Sequence, residues 1–418
     1  YEIGSGLVGS EMCIRDRIMI CDILIKNAKT RKLDDLVNIA VKDGKIAAIE
    51  KGLEAEAKQV IDAAGCLVTE SFVNGHLHLD KVYTLKMAGE DALKSYTGGG
   101  MGGAMTSIEQ AANFKAAYDE SWLIGNVRKA CDLAVKYGNT HIRAFADVDS
   151  KARLEGVKAL LKAREEYKDR VTLEVVAFPQ DGVAREPGAK ELVKQALDLG
   201  ADVVGGIPWV EFTKDDEQAH VDAMCAYAKE YDKPISMLLD DVGDGEERTL
   251  EMLCRKSIEM GWQGRVTAQH CRAMELYPEN YFRKLVALLK QGGVGVVSDP
   301  HTGPLAARVK DLLAAGVPVA LGQDDIQDAY YPFGENNMLQ VAFLASHLLS
   351  MLTFDDMELL YDMVTTGAAK VLGLKDHELK VGGTADLVVL DVPDVYQAIW
   401  YHRAPAYVIK NGVDITLR

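Results

Sequence analysis

The middle of the chain alternates short, nearly all-apolar runs with longer amphipathic stretches. Leu173–Phe178 and Val317–Leu321 are examples of the apolar runs, and Asp216–Tyr231 is an example of the amphipathic stretches. Apolar runs without alternation are typical of strands buried on both faces, so the pattern predicts a parallel sheet covered by helices. Its repetition along residues 72–374 favours a closed (β/α)8 TIM barrel over an open doubly wound sheet.

The two ends of the chain have a different texture, with short strands joined by tight turns. The run Ile20–Ile25 leads towards an Asp43-Gly44 turn, and Tyr407–Lys410 precedes Asn411-Gly412; such dipeptides are typical of β-hairpins. We therefore predict a small β-sandwich domain formed by both termini, from residues 19–71 and 375–418, beside a barrel of residues 72–374. Residues 1–18 are interpreted as a leader outside the fold, either non-native or disordered. The glycine-rich segment 98–103 is interpreted as a loop near the barrel mouth.

Composition narrows the classes of function. The 418 residues carry a net charge of −16, and no run is rich in Lys and Arg, which argues against binding to nucleic acid or to an anionic membrane. No apolar stretch approaches the roughly 18 residues of a membrane span. The seven cysteines form no C-x-x-C pair, as expected for a cytoplasmic protein without a disulfide framework. The expected partner is a small-molecule substrate. The sequence does not decide whether the chain forms a homo-oligomer.

The sharpest local motif is a pair of histidines after an apolar run. His76 and His78 are two residues apart, and side chains at that spacing on a strand project to the same side. Two imidazoles at that spacing can bind one metal ion, although two ordinary histidines at a strand end are the simpler alternative. The carboxyl ends of barrel strands carry the chemistry of TIM-barrel enzymes, so this position favours the metal site.

Polar side chains follow three later apolar runs in the same way. His270 ends the run Val266–His270, the pair Asp240 and Asp241 follows Leu239, and the pair Asp324 and Asp325 follows Gly322-Gln323. Each carboxylate, taken alone, could be a helix N-cap in a strand-to-helix loop. Their recurrence at strand ends predicts that they gather at one mouth of the barrel.

Several segments of the sequence resemble the amidohydrolase superfamily, and within it the branch of cytosine deaminase and N-isopropylammelide amidohydrolase. The similarity runs along almost the whole chain from Met19. The segments that carry it are residues 72–80, 176–182, 200–208, 265–268 and 322–341, with residues 383–390 similar to the small β-domain of the superfamily.

The resemblance implies a role for each matching residue. It places one divalent ion, zinc in the first place with iron or manganese as alternatives, on His76, His78 and Asp324. His270 matches the histidine that assists the attacking water, and Asp241 takes the place of the proton-shuttling acid. The positions expected to contact the substrate are Gln180, Asp325 and Tyr330.

Two positions depart from the family pattern. Leu238 stands where the family has its remaining metal histidine, and Phe145 replaces a further histidine. Three protein ligands and a water suffice for catalytic zinc, and Asp240 or His270 is a candidate fourth ligand. We expect hydrolytic removal of an amino or alkylamino group from an N-heterocycle. The alternatives are hydrolysis of a cyclic or exocyclic amide at the same site, and a metal-free relative with a binding role.

Overall fold

A computed structural model describes residues 19–89, 93–94 and 114–417 of the chain. The proposed leader 1–18 and the glycine-rich segment 98–103 lie outside these residues. The two parts that the sequence predicts, a barrel and a domain built from both termini, are present among the described residues.

Eight parallel strands form the barrel in sequential order. Adjacent strands pair along the sheet from the first to the last, and the circle closes through the chain that follows the last strand. There the amide of Asp324 donates to the carbonyl of His76 over 2.9 Å, and the amide of His78 donates to the carbonyl of Asp324 over 2.8 Å. The strands are β6 (Phe72–Leu77), β7 (Asn139–Asp147), β8 (Thr172–Phe178), β9 (Val203–Gly206), β10 (Ile235–Leu239), β11 (Val266–His270), β12 (Val294–Ser298) and β13 (Val319–Leu321).

Helices cover the outside of the barrel because each carries an apolar stripe that must be buried. The main core joins side chains from the strands and from these helices, such as Val127 and Leu160. The α-helices among the described residues are Leu85–Ala88, Glu120–Lys136, Glu155–Tyr167, Ala189–Asp198, Lys214–Glu230, Thr249–Met260, Glu279–Gly292, Val309–Ala314, Met338–Leu348, Phe354–Asp362, Thr366–Leu372 and Val395–Tyr401. None of the described helices is long and apolar enough to cross a bilayer.

The two termini build the predicted sandwich. One four-stranded sheet has the order β3-β2-β1-β4 and the other has the order β16-β15-β14-β5. Ile25 and Ile39 of the first sheet share one apolar core with Leu387 and Ile409 of the second. The strands are β1 (Met19–Ala28), β2 (Val37–Lys42), β3 (Lys45–Glu50), β4 (Ala55–Asp62), β5 (Val68–Glu70), β14 (Leu387–Val389), β15 (Tyr407–Lys410) and β16 (Val413–Asp414).

Candidate active site

Three histidine side chains meet one carboxylate inside the barrel mouth. The Oδ1 atom of Asp324 lies 3.1 Å from Nε2 of His76, 3.8 Å from Nε2 of His78 and 3.7 Å from Nε2 of His270. All four side chains are buried. They come from the two strands at the barrel seam and from β11, so the closure of the barrel creates the cluster.

The protonation of this cluster suits a metal ligand set. Burial lowers the pKa of His270 to about 4 and holds the pKa of His78 well below its ordinary value. Both imidazoles are therefore neutral near pH 7, which is the form that binds a metal. Burial opposes ionisation of Asp324, but the facing imidazoles hold its pKa well below the usual range, so the carboxylate is ionised.

The cluster also has a surplus of acidic groups. Burial and the charge of Asp324 raise the pKa of Asp299 and of Asp325 well above the usual aspartate value. A divalent cation beside Asp324 would reverse this effect, because a bound ion is the largest local charge in such a site. His76, His270 and Asp324 each offer one ligand atom, all within 4.8 Å of one another, so the donor set and the charge balance fit one divalent ion.

The predicted substrate residues line the same pocket as the histidine cluster. Gln180, Asp241, Asp325 and Tyr330 border it together with His78, His270 and Asp324. Seven of the nine residues expected at the site line this pocket. An eighth, His76, contacts the lining residue Asp324. Their roles remain predictions.

The ninth expectation concerned Asp240, a candidate fourth ligand, and the structure places this residue elsewhere. Its carboxylate accepts hydrogen bonds from Thr249 Oγ1 at 2.6 Å, from the amide of Leu250 at 3.1 Å and from the hydroxyl of Tyr277. The backbone of Asp240 has a φ of 47°, so strand alternation ends there and the side chain leaves the pocket. Asp240 therefore anchors the following helix.

Its neighbour Asp241 does face the pocket, where it pairs with an arginine that the sequence did not single out. Arg272 Nη1 lies 2.5 Å from Asp241 Oδ1, and Arg272 Nη2 donates to Thr302 Oγ1 at 2.6 Å. The Arg272 and Asp241 side chains are only 5% and 9% exposed. A buried pair of this kind fixes the position of the carboxylate because separating the two charges is costly.

A second buried cation supports the other side of the pocket. The Lys81 ammonium donates to Gln180 Oε1 at 2.7 Å, lies 2.9 Å from Asp147 Oδ1 and lies 3.1 Å from Nδ1 of His78. The ammonium therefore makes a hydrogen bond to Gln180 and an ion pair with Asp147. Lys81 thus orients the amide of Gln180, which is the group expected to hydrogen-bond a heterocycle.

The two departures from the family pattern form an apolar wall. Phe145 and Leu238 belong to one buried cluster with Phe178, Ile207 and Trp209. The ring of Phe145 lies 4.2 Å from the ring of His76, centroid to centroid. The wall puts hydrocarbon at two positions where the family pattern has histidines, and it gives the histidine cluster an apolar side.

Three residues that sequence reasoning missed have sequence signals in hindsight. Lys81 follows the histidine motif directly, Arg272 stands two positions after His270, and Asp299 follows the end of β12. Asp299 obeys the same strand-end rule that identified Asp324. Nothing in the sequence gives the pairing of Lys81 with Gln180, because these residues come from different strands.

The fold is a TIM barrel, and its mouth holds a cluster of side chains whose donor atoms fit one divalent ion. The Amidohydrolase family matches residues 59–414 of the chain. The chain belongs to this family and is an enzyme that acts on carbon–nitrogen bonds other than peptide bonds.

Individual relatives point to one branch of the family. The N-isopropylammelide isopropyl amidohydrolase of Pseudomonas sp. (strain ADP) is 32% identical over 392 residues, which are 94% of this chain and 96% of that protein. The structure of a 5-methylcytosine deaminase from Klebsiella pneumoniae with 5-fluorocytosine is 32% identical with a TM-score of 0.86, covering 94% of this chain and 97% of the other. An N-isopropylammelide isopropylaminohydrolase from Burkholderia multivorans is 26% identical with a TM-score of 0.84, over 95% and 98% of the two chains. These similarities confirm the expected branch.

Proposed function

We propose that this chain is a metal-dependent hydrolase that removes an amino or alkylamino group from an amide-containing N-heterocycle. The observation that carries the proposal is one pocket in which Gln180 and Asp325 face the cluster of histidines around Asp324. The amide and the carboxylate match the hydrogen-bonding edge of a ring amide. The relatives named for an N-alkyl ammelide and for 5-methylcytosine support this substrate class.

The side chains that would hold the ion are drawn from His76, His78, His270 and Asp324. When bound there, a divalent ion would lower the pKa of a water molecule from about 15.7 towards about 7 and so make it a nucleophile at neutral pH. Gln180, oriented by Lys81, is placed to bind the heterocycle, and Tyr330 borders the same space.

The pocket also contains groups that could move protons. Asp241 is held by Arg272 at 2.5 Å, and Asp325 lies beside Asp324 in the same lining. Because the attacking water must lose a proton and the leaving nitrogen of a deamination must gain one, an acid–base side chain within hydrogen-bonding reach is needed. His270, which is buried and neutral near pH 7, is the third candidate for this role.

The test is an activity panel on purified, zinc-loaded protein. Pyrimidines, triazines and cyclic ureas are incubated with the enzyme, and free ammonia or alkylamine is measured. We expect release from at least one N-heterocycle, its loss in Asp324→Asn, and its retention in Asp391→Asn, an exposed carboxylate of the C-terminal region. Release of a ring-opened product without amine would instead favour a cyclic amide hydrolase. Ligand binding by a protein that retains no metal and turns over none of the panel would favour a metal-free binding role.

A further inference from the structure

The ligand set of the site is one nitrogen short at β10. The side chain at position 238 is leucine, it is only 3% exposed, and it packs in the apolar cluster with Phe145. Leucine offers no donor atom to an ion. Three protein ligands and a water suffice for catalytic zinc, and a nitrogen from another strand would supply the donor that Leu238 lacks.

His270 at the end of β11 is within reach of the same centre. Its Nε2 atom lies 3.7 Å from Asp324 Oδ1, almost the same distance as Nε2 of His78, which is 3.8 Å away. The rings of His76 and His270 are 4.9 Å apart, as are the rings of His76 and His78. His270 therefore lies as close to the centre of the cluster as His76, on β6, and His78, just after it.

The other ring nitrogen of His270 faces a buried carboxylate. Asp299 Oδ2, at the end of β12, lies 3.3 Å from Nδ1 of His270, and the Asp299 side chain is fully buried. Neither oxygen of Asp299 accepts a hydrogen bond from another described side chain. A glycine makes this approach possible, because a Cβ at position 322 would lie 2.3 Å from Asp299 Oδ1 and 2.6 Å from Cβ of His76.

A carboxylate beside Nδ1 determines the tautomer of His270 and therefore whether Nε2 can bind a metal. Histidines that bind a metal through one ring nitrogen usually donate the other N–H to a carboxylate, which fixes the tautomer and makes the ligand more basic. Asp299 can accept only from an Nδ1–H tautomer, and that tautomer leaves the lone pair of Nε2 free on the side of Asp324.

We propose that Asp299 is a positioning residue that orients His270 as a ligand of the ion. His270 would supply the nitrogen ligand that Leu238 cannot provide. The inference rests on the metal dependence in the proposed function and assigns the fourth ligand of that site.

The test measures zinc affinity in the absence of any substrate, by competition with a chromogenic chelator. We expect Asp299→Asn to bind zinc about 10- to 100-fold more weakly than the wild type, and His270→Gln to lose at least as much. The matched control is Asp328→Asn, another buried aspartate near the pocket, which accepts from the amides of Tyr330 and Tyr331; it should keep wild-type zinc affinity.

A cobalt spectrum separates positioning from a purely structural role. Visible absorption of the Co²⁺-loaded protein reports the number and type of ligands, so it should change in both His270→Gln and Asp299→Asn but not in Asp328→Asn. Introducing Leu238→His into the Asp299→Asn protein should restore zinc affinity by supplying a nitrogen at the vacant position.

Two results would overturn the inference in different ways. Wild-type zinc affinity and an unchanged cobalt spectrum in Asp299→Asn and His270→Gln would refute the ligand assignment while leaving the proposed metal dependence intact. A wild-type protein that binds neither zinc nor cobalt would refute both. Circular dichroism of each variant checks folding, and His270→Gln, which leaves Asp299 in place, decides the question if Asp299→Asn does not fold.

Discussion

The pair formed by Arg272 and Asp241 should be strongly coupled in stability, and this prediction tests how firmly the Asp241 carboxylate is held in the pocket. At 2.5 Å and an effective dielectric constant of about 20, the attraction between the two charges is about 6–7 kcal/mol. Desolvation cancels part of this value, but removing one partner leaves the other charge buried alone. We therefore expect Arg272→Gln to cost about 3–5 kcal/mol in the free energy of unfolding.

The assay is a double-mutant cycle with Arg272→Gln, Asp241→Asn and the double variant. Urea unfolding is measured in the presence of a chelator, since a bound ion would add its own binding free energy to the stability of the folded state. The double variant should lose about 2–3 kcal/mol less than the sum of the single variants, because neither partner is then left unpaired. The control cycle uses Arg128 and Glu166, an exposed pair at 2.7 Å, and should show a far smaller coupling.

A coupling below about 1 kcal/mol would refute the reasoning, because that is the range of solvent-exposed pairs. Activity provides a second measurement on the same variants. If Arg272 holds Asp241 in place for proton transfer, Arg272→Gln should lower kcat more than it raises KM, since in the proposed function Gln180, and not this pair, binds the heterocycle. An unchanged kcat would remove Asp241 from the proton-transfer step.

Three further changes should have defined outcomes. Burial opposes ionisation of Glu174, but Arg143 at 2.7 Å lowers its pKa to about 2; the ionised group therefore stabilises the fold above pH 4.5, and this contribution disappears as the pH falls towards 2. Glu174→Gln should cost up to about 3 kcal/mol at pH 7 and little at pH 2, and an equal loss at both values in urea unfolding would contradict the ion pair. Lys81→Met should cost roughly 3–5 kcal/mol because it leaves Asp147 with one cation fewer, and thermal unfolding without any shift would show that the ammonium is not held as described. Leu238→His in the wild-type background should raise zinc affinity in the chelator competition, and a weaker affinity would indicate that the apolar wall has no room for an imidazole.

The sequence predicts the barrel well because its signal is repeated. Each all-apolar run followed by an amphipathic stretch predicts one strand and one helix, so an error at a single boundary does not change the predicted fold. The strand-end rule likewise gathered His76, His270 and Asp324 correctly, because parallel strands deliver their carboxyl ends to one mouth. The terminal sandwich followed from turn dipeptides such as Asn411-Gly412.

The same rule fails where the chain leaves the strand. Asp240 and Asp241 are adjacent at the end of β10, and only the backbone turn at Asp240, with its φ of 47°, decides which carboxylate enters the pocket. Contacts between strands were also beyond the sequence, because pairing of Arg272 with Asp241 or of Lys81 with Gln180 depends on side-chain direction in three dimensions. The periodicity of a sequence predicts strands and helices, but it does not predict which side chains from different strands lie within bonding distance.

The assignment of His270 as a ligand changes which residue can take the proton from the attacking water. An imidazole whose Nε2 binds the ion and whose Nδ1–H is donated to Asp299 has no free lone pair for a proton. Oδ1 of Asp241 lies 2.5 Å from Nη1 of Arg272, so this oxygen is already engaged by the guanidinium. Oδ1 of Asp325, by contrast, accepts no hydrogen bond from a described group, and the residue lines the same pocket. We therefore expect Asp325, next to the proposed ligand Asp324, to be the base, so Asp325→Asn should lower kcat more severely than Asp241→Asn.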